Sequence, residues 1–166
     1  MLRPFSIFRR LPRLTLVLAV VEVLAAAIAA TAWYQSQQSD QRESASRDAL
    51  AAATAATQAL FSYDYRSFDA SVSNGRQFVT GGFAKEYADT TASLKATAVK
   101  EQAVVQAQVS AASVMTAHPD RVEVLLFVNQ YRKNANITGE KVDQNRVVLT
   151  LVPAGGQWKV VQAQAV

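Results

Sequence analysis

An apolar stretch near the N-terminus, Leu14 to Ala32, constrains this chain more than any other feature of its sequence. It holds 19 residues and a single charge, Glu22. A helix rises about 1.5 Å per residue, so the stretch would span roughly 28 Å, close to the ~30 Å hydrocarbon core of a bilayer. The sequence therefore predicts a transmembrane helix over residues 14–33, with Trp33 at the membrane interface.

The segment before the stretch, residues 1–13, is a short basic leader without acidic residues. Its four arginines are Arg3, Arg9, Arg10 and Arg13. Because basic flanks stay on the cytoplasmic side, we expect the N-terminus inside and the rest of the chain outside. A cleaved signal peptide is the alternative, since Ala30-Thr31-Ala32 has the form of a cleavage site. The apolar run nevertheless exceeds the roughly 7–15 residues typical of such peptides.

Glu22 points to a partner inside the membrane. A carboxylate near the centre of a bilayer costs on the order of 2.5–3.5 kcal/mol, and it generally faces a partner group or water. Small residues at helical spacing from it would let another helix come close. We therefore predict a partner-binding surface formed by Glu22, Ala26 and Ala29. The alternative is that Glu22 is protonated and merely tolerated.

The net charge of +4 does not indicate a nucleic-acid-binding protein. Four of the 17 Lys and Arg residues precede the apolar stretch and one of the 13 Asp and Glu residues lies in it. The 13 basic and 12 acidic residues that remain are mixed, whereas a phosphate-binding surface needs clustered Lys and Arg. The chain has no Cys and only one His, so we predict no metal site and no thiol nucleophile.

Beyond the stretch, a helical pattern gives way to a strand pattern. Residues 34–60 contain neither Gly nor Pro and are rich in alanine, which predicts a long helical stalk continuous with the anchor. Asn74-Gly75 predicts a turn, Gly81-Gly82 a helix junction, and Phe83 to Leu94 an amphipathic helix. The pattern then predicts four consecutive strands, over residues 104–115, 121–131, 146–153 and 158–162.

The predicted fold class is α+β, with an external domain over residues 61–166. Its helices would pack on one face of a four-stranded antiparallel sheet. A sheet that curves around a helix would form a cone with an apolar interior. The side chains expected to line this interior, as a core or as the walls of a pocket, are Phe78, Phe83, Tyr87, Leu126 and Trp158.

The external domain offers little for catalysis. An acid–base site needs a carboxylate or a histidine with a shifted pKa inside a pocket. Asp64 with Tyr63 or Tyr65 is the best pairing. Asp64 also lies near a helix end next to Arg66, where it is expected to cap the helix or form an ion pair. His118 lies in an apparent hairpin turn. No nucleophile elbow, P-loop or dinucleotide motif occurs, and we predict no catalytic residues and no cofactor.

Five segments, taken together and in order, resemble the Mce-associated membrane proteins, and the likeness runs from the anchor to the C-terminus. The segments are Phe61–Tyr65 (FSYDY), Thr80–Phe83 (TGGF) with Tyr87, Val124–Gln130 (VLLFVNQ), Arg146–Val152 (RVVLTLV) and Gly156–Val160 (GQWKV).

The resemblance implies a single-pass accessory protein of an Mce lipid-import system, with its anchor in the bacterial cytoplasmic membrane and its external domain in the periplasm. It also implies an NTF2-like cone similar to that of VirB8-type secretion proteins. A non-enzymatic scaffold role follows, with the bilayer and other transporter subunits as partners. Some family members have an N-terminal region longer than this 13-residue leader, so the anchor and the external domain are the expected interaction surfaces.

Three alternatives remain open from the sequence. The external domain could be a lipid-binding module that uses the cone interior, or an enzyme with its active site there. The chain could also be a VirB8-like subunit that helps to assemble a secretion system.

Overall fold

A computed structural model describes residues 13–136 and 138–166. Within these ranges, the side chains are described from Glu22 onward. The chain divides into two compact units, Met1–Asp40 and Gln41–Val166. The predicted leader, residues 1–13, lies outside the described residues except for the backbone of Arg13. No helix in the described part of the chain is long and apolar enough to cross a membrane. The side chains of residues 14–21, which belong to the predicted span, lie outside the described part of the chain.

The first helix, α1, extends from Arg13 to Phe61 and confirms the prediction of one long helix without an interruption. The absence of Gly and Pro and the many alanines favour this length. In the second unit one face of α1 is buried at helical spacing. This buried face, called the alanine face below, consists of Ala45, Ala49, Ala53 and Ala56 and ends at Leu60.

Two more helices follow a short 3₁₀ turn over Tyr65–Ser67: α2, Phe68–Arg76, and α3, Gly81–Glu101. The predicted junction at Gly81-Gly82 is confirmed, because α3 begins at Gly81 with a φ of +60° that glycine adopts readily. The predicted turn at Asn74-Gly75 is wrong, since both residues lie within α2. Gly75 is needed there for close packing and not for a turn.

The sheet is antiparallel and has five strands in the order β1-β2-β3-β4-β5. The strands are β1, Tyr63–Asp64; β2, Val104–His118; β3, Arg121–Lys133; β4, Lys141–Ala154; and β5, Gln157–Ala165. The α+β class is therefore confirmed, while the predicted number of four strands is wrong. The missed strand, β1, has two residues and pairs with β2 through Tyr63 and Val105, so it is too short to show an alternating pattern.

The predicted strands occur in the right order but are too short at their ends. The largest difference is in β4, which begins at Lys141 within a segment predicted as a polar connection. Lys141 pairs with Arg132 in β3. This end of the sheet carries polar side chains on the same face that is apolar further along, so hydrophobic periodicity does not reveal it.

The core lies between the alanine face of α1 and the inner face of the sheet. The inner face is formed by fully buried side chains, among them Val122, Val124, Leu126, Leu149 and Leu151. Register shifts interrupt the β2–β3 pairing near Ser110 and Met115 and the β4–β5 pairing near Val161. Such bulges bend strands and increase their twist, which curves the sheet around the helix.

Candidate functional site

An apolar cavity of about 390 Å³ lies in the second unit, between the end of α1, the helices α2 and α3, and the sheet. Its volume is within the roughly 300–1,000 Å³ range of small-molecule sites. Its apolar walls come from four elements, which extend from α1 to the last strand of the sheet. These wall residues are Leu60 and Phe61 of α1, Phe68 and Val72 of α2, Phe83 and Leu94 of α3, and Ala163 of β5.

The helices place these side chains through simple periodicity. The stripe Phe83, Tyr87, Thr91 and Leu94 of α3 recurs every three to four residues and turns one face of the helix toward the cavity. Phe68 and Val72 repeat the same spacing in α2. The cavity begins where the alanine face of α1 ends at Leu60.

Two tyrosines, Tyr63 and Tyr87, are among the lining residues. Tyr63 packs edge-to-face on Phe68, with ring centroids 5.5 Å apart. Burial raises the pKa of Tyr63 above its ordinary value, opposed by nearby Arg132 and reinforced by Glu101. Burial also raises the pKa of Tyr87, opposed by Arg76. Both phenols are therefore protonated at neutral pH, when they can donate hydrogen bonds but cannot act as bases.

The other polar groups of the lining are either already engaged or exposed. The Thr91 hydroxyl donates to the Tyr87 carbonyl oxygen at 2.7 Å. Ser62 Oγ accepts from the backbone N–H of Ala107 at 2.9 Å. Glu86 and Thr90 are exposed. Because the only carboxylate of the lining is Glu86, the cavity suits an apolar ligand better than acid–base chemistry.

Gln130 joins the cavity to an open polar groove of about 790 Å³ on the sheet. The groove is also lined by Arg132, Asp143 and Asn145. Arg132 Nη2 donates to Asp143 Oδ2 at 2.6 Å, and Lys141 Nζ lies 3.7 Å from the other carboxylate oxygen. Arg132 Nε is buried and has no hydrogen-bond partner among the described residues.

The structure places the five predicted lining residues in different surroundings. Phe83 and Tyr87 line the cavity. Leu126 is fully buried in the core, and Phe78 and Trp158 are half-buried and pack against that core. Sequence reasoning did not select Tyr63, Phe68 or Leu94 as lining residues. The dense aromatic run from Phe61 to Phe68 was the available signal for two of them.

The predicted partner-binding residues Glu22, Ala26 and Ala29 lie in the first unit, on α1. All three are exposed, and their spacing of four and three residues places them on one face of the helix. A surface for another helix at this position remains a prediction.

Asp64 has the capping and ion-pair role expected for it. Its Oδ1 accepts from the backbone N–H of Arg66 at 2.9 Å at the start of the 3₁₀ turn. Hydrogen bonds from the Arg66 side chain and backbone hold the pKa of Asp64 below its usual value. The described part of the chain contains no group of three or more His, Cys, Asp or Glu residues that could hold a metal ion.

No family model matches the chain. The uncharacterised proteins MT1407 and Rv1362c of Mycobacterium tuberculosis are each 32% identical to it in an alignment of 136 residues that covers 79% of this chain. The chain spans 62% of the length of these relatives.

Several solved structures have a fold similar to that of this chain, among them two proteins of type IV secretion systems. An IcmL-like type IV secretion protein of Legionella pneumophila has a TM-score of 0.59 at 19% identity, over 70% of this chain and 88% of that one. CagV, a VirB8 homologue of Helicobacter pylori, has a TM-score of 0.58 at 14% identity, over 70% and 94%. The periplasmic domain of DotI has a TM-score of 0.54 at 16% identity, over 70% and 91%. The second unit of this chain therefore has a VirB8-like fold.

Proposed function

We propose that this protein is a non-enzymatic accessory subunit of a membrane-spanning Mce-type lipid transport complex. Its α+β domain would stabilise or coordinate the assembly from the periplasm. The observation that carries the proposal is the VirB8-like fold, because CagV and the IcmL-like protein with that fold are proteins of type IV secretion systems. The Mce assignment rests on the five segments that resemble that family.

Placement in the bacterial cytoplasmic membrane is supported by the first unit. Apolar side chains of α1 are exposed there, including Val23, Leu24 and Ile28. Exposed apolar surface generally marks contact with a membrane or a partner. Together with the apolar residues from Leu14 and the arginines before them, this favours an anchor with the N-terminus inside.

The alternative is a VirB8-like assembly subunit of a secretion system. The same structural likeness favours it, because CagV and the IcmL-like protein belong to type IV secretion systems and the DotI structure is that of a periplasmic domain. At a sequence identity of 14–19%, the likeness to those structures supports a common fold.

A non-enzymatic role is supported by the chemistry of the candidate site. The carboxylate that lines the cavity, Glu86, is exposed, and Tyr63 and Tyr87 are held in the protonated form. This set of residues provides no pairing of an acid with a base inside the cavity.

Affinity purification of the full chain from membranes in mild detergent tests the proposal. Recovery of Mce-transporter subunits would support it, and recovery of secretion-system subunits would favour the alternative. If the chain is recovered without any membrane subunit, the assembly role is wrong.

The first testable prediction concerns Glu22. Polar contacts between membrane helices contribute about 0.6–2 kcal/mol, so Glu22→Leu is expected to reduce co-purification of partner subunits roughly 3- to 30-fold. The domain should stay folded, because Glu22 lies outside the second unit. The matched control is Glu43→Leu, an exposed position of the same helix outside the predicted span. Unchanged recovery with Glu22→Leu would exclude Glu22 as a contact.

A further inference from the structure

We infer that the cavity binds the hydrocarbon chain of a single-chain anionic amphiphile whose head group lies in the adjoining polar groove. A fatty acid and a lysophosphatidic acid are the two simplest members of this class. The inference goes beyond the accessory role and does not depend on it, because a subunit can hold a complex together without any ligand in this cavity.

The walls of the cavity are mainly apolar. Leu60, Val72, Phe83 and Leu94 present carbon surface from three helices. The polar lining groups Thr91 and Ser62 already have hydrogen-bond partners in the protein. A polar ligand would gain few hydrogen bonds from these walls, whereas each methylene group moved there from water is favourable.

The size and shape of the cavity suit a hydrocarbon chain better than a helix. A helix with its side chains is ~10 Å across, so less than about one of its turns would fit into a volume of this size. The cavity of about 390 Å³ is therefore too small for the face of a partner helix. A slender hydrocarbon chain can follow a space bounded by α1, α2, α3 and the sheet.

The polar groove begins at Gln130, which lines both the groove and the cavity. Arg132 and Asp143 line the groove and form an ion pair, and Lys141, which is not a lining residue, lies 3.7 Å from the same carboxylate. These three side chains together carry one net positive charge. The buried Nε of Arg132 also has no acceptor among the described residues. These charges and donors favour an anionic head group that accepts hydrogen bonds.

Photolabelling of the full chain in phosphatidylcholine nanodiscs tests the site. The probe is a palmitic acid analogue with a diazirine near the end of its chain. Adducts mapped by mass spectrometry are expected in the segments Leu60–Val72 and Phe83–Leu94. Adducts confined to other segments of the chain, or their absence, would overturn the inference.

A blocking variant makes the test specific. Thr90 is exposed and lines the cavity, so Thr90→Trp should fill part of it without disturbing the core. We expect a loss of labelling in these segments of roughly tenfold or more, equivalent to about 1.4 kcal/mol. The control is Thr97→Trp, an exposed position of the same helix that is not among the lining residues. Ala163→Leu is a second blocking variant, because Ala163 lines the cavity from β5. If one of the two variants fails to fold, the other still tests the site. Unchanged labelling in a folded blocked variant would refute the site.

Competition identifies the head group. Unlabelled palmitate and lysophosphatidic acid distinguish a carboxylate from a phosphate, and competition by either supports the anionic class. Arg132→Gln and Lys141→Gln should weaken competition by palmitate and lysophosphatidic acid more than competition by hexadecanol, which has the same chain as palmitate and a neutral head group. If hexadecanol competes as well as both anionic lipids, the assignment of the head group to the groove is wrong.

Discussion

Gly75 is buried in α2 with the ring of Tyr87 against it. A Cβ atom at this position would clash with the Tyr87 hydroxyl, lie 2.8 Å from Tyr87 Cζ, and lie 3.3 Å from the Ala59 carbonyl oxygen. Tyr87 is itself buried and lines the cavity. The missing side chain of Gly75 therefore determines where one wall of the cavity can stand.

The second prediction follows from this contact. Alanine is better than glycine in a helix by up to about 1 kcal/mol, but overpacking costs about 1–3 kcal/mol. We expect Gly75→Ala to lower the free energy of unfolding by about 1–2 kcal/mol, measured by urea denaturation. Adding Tyr87→Phe, which removes the closest atom, should restore part of the loss.

Gly82 is the matched control for this substitution. It lies in the first turn of α3, and a Cβ there would meet no described atom within 4 Å apart from its chain neighbours and the nearby backbone of its own helix. Gly82→Ala should be neutral or stabilising. Equal effects at both glycines would show that the contact with Tyr87 does not matter.

The third prediction concerns Tyr63 and Tyr87, whose pKa values are raised from 10.0 by burial. Unfolded tyrosine ionises at the lower pKa, so the unfolded state releases protons first as the pH rises. The contribution of each tyrosine to stability is complete below pH 10.0 and is lost as the pH rises through the folded pKa.

The free energy of unfolding should therefore fall above pH 10.0. This fall should be smaller when Tyr63 and Tyr87 are both changed to Phe. Tyr34→Phe is the control, since that ring is exposed on α1, and its profile should follow the unchanged chain. The measurement is urea denaturation at several alkaline pH values. An unaltered alkaline slope in the double variant would contradict the assignment to these two rings.

At the scale of elements, the alanine face of α1 determines how the longest helix packs. Ala49 and Ala53 are fully buried against a sheet whose inner face is Val and Leu. The methyl side chains of this face leave room for the larger Val and Leu side chains of the sheet, which fill the space between the helix and the strands. The bulges in β2 and β5 curve the sheet around this helix.

The fourth prediction tests this packing. Ala53→Leu inserts three carbon atoms where Ala53 is fully buried, and we expect a loss of about 1–3 kcal/mol in the free energy of unfolding. Ala51→Leu is the control, because Ala51 is exposed on the same helix. Its effect should be within about 0.5 kcal/mol. A comparable loss at both positions would indicate that helix propensity, and not packing, is responsible.

At the scale of the molecule, the hydrophobic core formed by the described residues lies within the second unit. The buried residues of the main cluster extend from Ala45 to Val160, within Gln41–Val166. This unit therefore contains its own core and should fold without the first one. The boundary lies inside the predicted stalk, residues 34–60, whose later part contributes the alanine face.

The fifth prediction is that a fragment over residues 41–166 unfolds cooperatively with the same midpoint as the full chain, measured by circular dichroism. A fragment over residues 54–166 lacks Ala45, Ala49 and Ala53 and should lose the transition or unfold at a much lower temperature. If both fragments behaved alike, the alanine face would not be part of the cooperative core.

The helices and strands were predicted from the sequence more accurately than the residues that line the cavity. Sequence reasoning predicted the long helix, the junction at Gly81 and the order of the four longer strands, because each depends on neighbours within one element. It missed β1 and placed Asn74-Gly75 in a turn. A two-residue strand has no period, and a glycine that permits close packing looks the same in sequence as a glycine in a turn.

The sequence by itself determined the α+β class, the helical continuity of α1 and the apolar stretch from Leu14 to Ala32, since periodicity and composition are local properties of the chain. The tertiary structure decided where the cavity lies. Its walls come from residues as far apart as Leu60 and Ala163, whereas Leu126 is fully buried in the core. Contacts between distant segments depend on how the elements pack, and no periodic pattern within one element can specify them.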